Sequence, residues 1–171
     1  MALIRRAKTE DSRGIHDAHM RSIREVCFTV HTPEEISGWG NRPYDQGRRN
    51  NAILNQFVWV VEEEGQIEGY AEFHIRAHDG LTRGHIMGLY ITPKVLNKGI
   101  GTELMRLIFE EAKSRNIGII TLESTLNAHD FYKRHGFQNV GELKTYTIGG
   151  SPVRAYPMER RFDMHPTSAV R

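Results

Sequence analysis

The spacing of apolar positions changes several times along this chain, and each change predicts an element. Residues 3–8 (LIRRAK) read as a short strand. Thr9 to Asp11 offer helix-capping side chains, and Ile15, Ala18, Ile23 and Val26 then recur at helical spacing, which predicts a helix over 12–29. Pro33 followed by Glu34 and Glu35 suits the first turn of a second, short helix, where proline loses no hydrogen bond and acids face the positive end of the dipole. GWGNRPYDQG at 38–47 is rich in turn formers and predicts a loop. QFVWVVEE at 56–63 is a compact β-branched and aromatic run, hence a buried strand. After a turn at Glu64-Gly65, residues 66–76 alternate strictly. Ile67, Gly69, Ala71, Phe73 and Ile75 share one face, and Glu68, Tyr70, Glu72, His74 and Arg76 share the other, as in a hairpin partner of 56–63. His78-Asp79-Gly80 turns the chain into a third strand, 83–92, which Pro93 ends.

From Thr102 the period becomes helical, with Leu104, Leu107, Ile108 and Ala112 on one face. IITLES at 119–124 predicts a strand. Residues 128–135 predict a short helix closed by Gly136, and FQNVG and VRAYPMERRF predict two final strands before a loose tail, 163–171. The order β–α–α–β–β–β–α–β–α–β–β, without repeat or linker, predicts one α+β domain over 1–171 with a core of about 3–162.

Composition removes alternatives more than it adds any. With 23 basic and 21 acidic residues the net charge is +2, too balanced to suggest nucleic acid, although a local site for a small anion remains open. No stretch approaches the roughly 18 apolar residues that cross a membrane, and Arg5, Arg6 and Lys8 interrupt any secretory leader, so a cytoplasmic location is expected. The single cysteine, Cys27, makes no internal disulfide and reads as a small apolar helix residue. The nine histidines show no metal-binding spacing, so no metal is expected. His16 and His19, three apart, read as a solvated helix face.

LNKGIGTELM, 96–105, is the segment that carries chemistry. Gly99 and Gly101 run into a helix N-terminus, where free N–H groups and the helix dipole attract an anion. A tight strand-to-helix turn would look the same. GxxxxGK[ST] does not occur, and the third glycine of GxGxxG is Leu104 here, so neither usual nucleotide loop fits. The strands before the loop also read as antiparallel, because the 63–66 turn is too short for a parallel crossover.

The run LYITPKVLNKGIGTELM resembles the acetyl-CoA-binding segment of the GNAT superfamily of N-acetyltransferases, whose loop reads Arg/Gln-x-x-Gly-x-Gly/Ala. Asn127, Phe131-Tyr132 and Gly136-Phe137 then resemble its second signature, N-x-x-x-F-Y-x-x-x-G-F, at the expected distance downstream. The resemblance implies the GNAT fold, a central, mostly antiparallel mixed sheet flanked by helices. It implies acetyl transfer from acetyl-CoA to an amine acceptor, direct and without an acyl-enzyme. Backbone N–H groups of Asn97, Lys98, Gly99, Ile100, Gly101 and Thr102 would hold the pyrophosphate, with the Thr102 hydroxyl adding to them. Leu89, Tyr90 and Ile91 would offer the strand edge to the pantetheine arm, and Asn127 a hydrogen bond to it. Leu96 departs from the family's Arg/Gln and can donate nothing to a phosphate; Lys98 can compensate electrostatically.

By the same resemblance Tyr132 is the general acid for the departing thiolate, and a backbone N–H near Leu89 stabilises the oxyanion. His85 stands where many family members have a glutamate and is the candidate base. Glu72 and His74, on the neighbouring strand, are alternatives. The acceptor is expected between the first two helices, the 38–50 loop and the last hairpin, where Glu34, Glu35 and Asp45 offer charge and Trp39 and Tyr44 offer rings. A homodimer is compatible with the family. A catalytically silent CoA-binding module and a longer-chain acyltransferase are the competing readings.

Overall fold

The computed structural model describes residues 1–164, so the tail reading for 165–171 lies outside the described residues. Strands β1 (Leu3–Arg6), β2 (Phe57–Glu63), β3 (Gln66–His78), β4 (Leu81–Ile91), β5 (Ile119–Ser124), β6 (Gln138–Asn139) and β8 (Ser151–Arg161) form one sheet in the order β1-β2-β3-β4-β5-β8-β6, and β7 (Lys144–Ile148) pairs with β8. Every pairing is antiparallel except β4 with β5, which gives the mostly antiparallel mixed sheet of an α+β fold.

Helices cover both faces. On one side α4 (Ile100–Ser114) buries Leu104, Met105, Ile108 and Ala112 against Phe73, Ile86, Ile120 and Met158, with α5 (His129–Arg134) beside it. Each large aliphatic side chain fully withdrawn from water contributes about 1.5–3 kcal/mol, so this face is the main apolar store of the fold. On the other side lie α1 (Ser12–Glu25), α2 (Pro33–Trp39) and α3 (Gln46–Asn55). Their packing is smaller and mixed: Ile15, Val58, Val60 and Tyr70 form one apolar group, and Met20, Ile23, Cys27, Trp39 and Val153 another. Among the described residues no helix is long and apolar enough to cross a membrane.

Four expectations change. The segment from Gln46 is a helix, not the end of a loop: Asp45 caps it by accepting from the Arg48 N–H at 3.0 Å. Its sequence, QGRRNNAILN, holds one glycine and three asparagines and buries only Arg49 and Ala52, so no apolar stripe announced it. β7 was also missed; it joins β8 through Gly149-Gly150, both at positive φ, a two-residue hairpin turn. The helix expected to 29 ends at Glu25, and Cys27–Thr29 form a 3-10 turn in which Cys27 is buried and its thiol is pushed up to about 12 by burial.

The fourth change matters most for the site. The polar face of β3 is not open to water, because α1 lies on it: Glu68, Tyr70 and Glu72 are all sealed, as are His16 and His19 of α1. Strict alternation signals one wet face only when nothing covers that face. Here Glu68, Glu72 and His19 are partnered instead. Glu68 accepts from the Thr92 hydroxyl and pairs with Arg21 at 3.3 Å.

Candidate active site

A wedge opens between β4 and β5. Their parallel pairing spans only Gly84↔Ile120, His85↔Thr121 and Ile86↔Leu122. In the register with β3, Phe73 faces Ile86 while Glu72 faces Gly88, so Met87 is an extra residue on β4. Such a bulge bends its strand, and β4 swings away while β5 stays on β8 to the Ser124↔Tyr156 pair. Residues 87–91 thus keep the backbone edge that faces the wedge free of strand partners, a natural dock for an extended ligand.

A cleft of about 540 Å³ fills this wedge. One wall is Leu89, Tyr90 and Ile91; the other is Thr125, Asn127 and Phe131; Asn97 and Gly99 to Thr102 close one end. Ser22 and Thr29, at the α1 side, complete it, and the Ser22 hydroxyl donates to the Ile91 carbonyl at 2.9 Å. The wall bearing Asn127 is pinned from behind. The Leu126 N–H donates to His31 Nε2 at 3.1 Å, and His31 Nδ1 meets Glu35 at 2.9 Å. Glu35 also accepts from the Thr32 N–H, the Arg154 N–H and the Arg154 guanidinium. Burial pushes the Glu35 carboxyl up, but these donors, Arg154 first, outweigh it and hold it well below the ordinary carboxylate range. Glu35 is therefore a structural clamp, not an acceptor-binding charge. Trp39 is likewise a core residue, and Asp45 a helix cap. Tyr44 shares a hydrogen bond with Ser12 and lies under Arg13.

The two loop glycines have separate duties. Gly99 sits at φ +77°, a left-handed conformation that side chains resist, and it starts α4. A Cβ on Gly101 would come within 3.1 Å of the Phe131 ring, so that glycine lets the two sides of the cleft approach. Asn97 is also left-handed, at φ +60°. The first N–H groups of α4 have no helical acceptor and face the closed end of the cleft.

The cleft gathers most of the expected cofactor residues: Leu89, Tyr90, Ile91, Asn97, Gly99, Ile100, Gly101, Thr102 and Asn127. Leu96 lines it too. Lys98 is exposed and outside it. Tyr132 lies behind Phe131, buried, edge-on to the rings of Phe131 and Phe137 at 5.3 and 5.7 Å, and burial pushes its phenol up. Phe131, Thr125 and Ser22 were not foreseen as lining residues; only Phe131 had a signal, as the neighbour of Tyr132.

The three candidate bases share the α1 face of the sheet. His85 has both ring nitrogens engaged, Nδ1 with the Thr121 hydroxyl at 2.7 Å and Nε2 with Glu123 at 3.1 Å. Glu72 accepts from His74 Nε2 at 2.7 Å and stands opposite Gly88, one residue from Leu89. Burial pushes the Glu72 carboxyl up, but the His74 hydrogen bond and the field of Arg48 outweigh it, so it is held low and ionised. Among the described residues no group of three His, Cys, Asp or Glu side chains is placed to hold a metal.

Comparison with known proteins fits this geometry. The sequence profile of the acetyltransferase (GNAT) family matches residues 19–137. The chain belongs to that family and is an acyltransferase. The uncharacterized N-acetyltransferase YafP of Escherichia coli (strain K12) is 20% identical over 146 residues, 85% of this chain and 87% of that one. The GCN5-related N-acetyltransferase structure from Rhodopseudomonas palustris superposes with a TM-score of 0.80 at 20% identity, covering 95% and 96% of the two chains. The PaiA N-acetyltransferase of Thermoplasma acidophilum, solved in complex with coenzyme A, gives 0.74 at 20% identity over 95% and 99%.

Proposed function

We propose that this protein is an acetyl-CoA-dependent N-acetyltransferase that moves the acetyl group directly to a primary amine within a ternary complex. The observation that carries the reading is the wedge between β4 and β5, with its free strand edge at Leu89–Ile91 and the glycine-built N-terminus of α4 at its end. That is a site for an extended arm with a diphosphate at one end. The coenzyme A complex of the PaiA enzyme supports the same ligand for this chain.

In the reaction the amine nitrogen attacks the thioester carbonyl carbon and the oxygen takes the charge, stabilised by the backbone N–H near Leu89. Glu72 accepts the ammonium proton, directly or through water. It is preferred to His85 because the His85 nitrogens are occupied, whereas Glu72 stands ionised beside the bend of β4. Collapse breaks the C–S bond, and Tyr132 donates to the departing sulfur. Its raised pKa keeps the phenol in the donor form throughout the neutral range.

The direct test is thiol release from acetyl-CoA with a panel of amines and peptides, together with the mass of the product. Acetylated amine is expected. Tight acetyl-CoA binding without turnover of any acceptor would favour a silent CoA-binding module, and preference for butyryl-CoA would favour a longer-chain acyltransferase. Tyr132→Phe should lower kcat more than it weakens CoA binding, and unchanged kcat would remove Tyr132 as the acid.

A further inference from the structure

We infer that the acceptor amine also carries an oxyanion, and that Arg49 and Arg42 bind it. This rests on the N-acetyltransferase reading and specifies its second substrate. Arg49 of α3 and Arg42 of the preceding loop converge on one imidazole. An Arg49 Nη2–H donates to His19 Nδ1 at 2.8 Å, while Arg42 Nη2 lies 3.4 Å from Nε2 of the same ring. A neutral imidazole has one lone pair, and Arg49 uses it at Nδ1. Nε2 therefore carries the hydrogen and gives Arg42 no acceptor. His19 is no counter-ion either: burial, then the charges of Arg49 and Arg42, push its pKa well down and keep it neutral.

The cations here are short of partners. Among the described residues Arg42, Arg48 and Arg49 form no ion pair, whereas Arg5, Arg21, Arg106, Arg115 and Arg154 each do. Arg49 is only 6% exposed, yet its Nη1 has no hydrogen-bond partner among the described residues. Arg42 has one firm acceptor, the Trp39 carbonyl at 3.0 Å. The Arg49 guanidinium lies 5.3 Å from the Tyr70 ring centre, which offsets only part of the cost of a buried charge. An oxyanion is the partner that two convergent guanidinium groups lack.

The cluster adjoins the reaction centre. The His19 ring is 4.2 Å from that of Tyr90, which lines the cofactor cleft, and 5.3 Å from that of Tyr70. Glu72, two residues from Tyr70 on the same face of β3, is the proposed ammonium acceptor. It is engaged by His74 and is not within ion-pair distance of the arginines. One carboxylate and two guanidinium groups fit a compact zwitterion, a 2-amino acid or a 2-aminoalkylphosphonate. A polyamine would bring a second cation against Arg42 and Arg49 and be rejected.

The test compares kcat/KM for 2-amino acids and 2-aminoalkylphosphonates with the matched amines that lack the acid group, and with spermidine and short peptides. An acid-bearing amine should exceed its matched amine by about tenfold or more. Arg42→Gln should erase most of that preference while acetyl-CoA affinity, the control for folding, is retained. Arg49→Lys serves as the second variant, because Arg49 is buried. Best turnover with spermidine, peptides or acid-free amines overturns the inference but leaves the enzyme reading intact. An acid preference that survives in both variants also overturns it. If nothing is acetylated, the acid amines and their acid-free counterparts are titrated into the protein–CoA complex. Acid-selective binding lost in Arg42→Gln supports the inference and sinks the enzyme reading; no selective binding overturns the inference.

Discussion

The cofactor cleft and the proposed acceptor site beside it are built from different materials. At the cofactor end the groups on offer are backbone: the free edge of β4 and the first N–H groups of α4, held by an apolar layer around Leu104, Ile108 and Phe137. At the proposed acceptor site they are side chains, Glu72, His74, His85, His19, Arg42 and Arg49, drawn from β3, β4, α1, α3 and the loop before it. A backbone site depends on chain geometry and tolerates many side chains. A side-chain site changes its ligand when one residue changes.

The contrast can be broken most severely at the acceptor end. Glu72→Gln keeps the size of the side chain and its hydrogen-bond acceptor but removes the proposed base. Turnover should fall by about 100-fold or more with acetyl-CoA affinity unchanged. A kcat within twofold of the parent would move the base elsewhere, and the same substitution in His85 would then be the next measurement. At the cofactor end the corresponding injury is to packing. Ile108→Ala empties a fully buried site and should cost about 2–5 kcal/mol in urea denaturation, and a cost below about 1 kcal/mol would mean the α4 layer is not what holds the wedge.

Acid titration sharpens the comparison in smaller steps. His19 and His16 are held below their ordinary 6.5, by burial first and then by neighbouring arginine charge. The unfolded chain therefore binds protons that the folded chain refuses. Stability is complete above 6.5 and is lost as pH falls below it, by up to about 1.4 kcal/mol per pH unit for each proton. Glu35, held low by Arg154 and its other donors against burial, adds a second loss below its ordinary 4.5. Urea midpoints between about pH 5 and 7.5 should drop more steeply for the parent than for His19→Gln; parallel slopes would mean His19 is not refusing a proton. The smallest effect is a gain. Leu96 lines the cleft with nothing to donate, so Leu96→Arg should tighten CoA binding by about tenfold in calorimetry. Unchanged or weaker affinity would show that the phosphates do not lie near residue 96.

Local chemistry explains which parts were readable in advance. The GxG spacing, the helical face of 104–112, the apolar run of 56–63 and the alternation of 66–76 each announce themselves within a dozen residues, because backbone conformation and burial leave local patterns. The first helix pair and the strand after α4 followed from the same signals; that this strand runs parallel to β4 did not. Gln46–Asn55 escaped because a helix that buries one alanine and one arginine leaves no apolar period, and β7 escaped because a short polar strand resembles a loop until its Gly149-Gly150 turn is weighed.

What the sequence by itself determined, then, is the order of most strands and helices, the family, and the glycine loop at the head of α4. What only the tertiary structure decided is the character of the polar face of β3. Alternation of polar and apolar residues cannot say whether the polar side meets water or a helix. Here α1 and α3 close over it, and that closure turns Glu72, His19 and Arg49 from surface polar groups into buried ones with few alternatives for pairing. Long-range packing sets the desolvation of each group, and desolvation sets what the group can bind or which proton it can take.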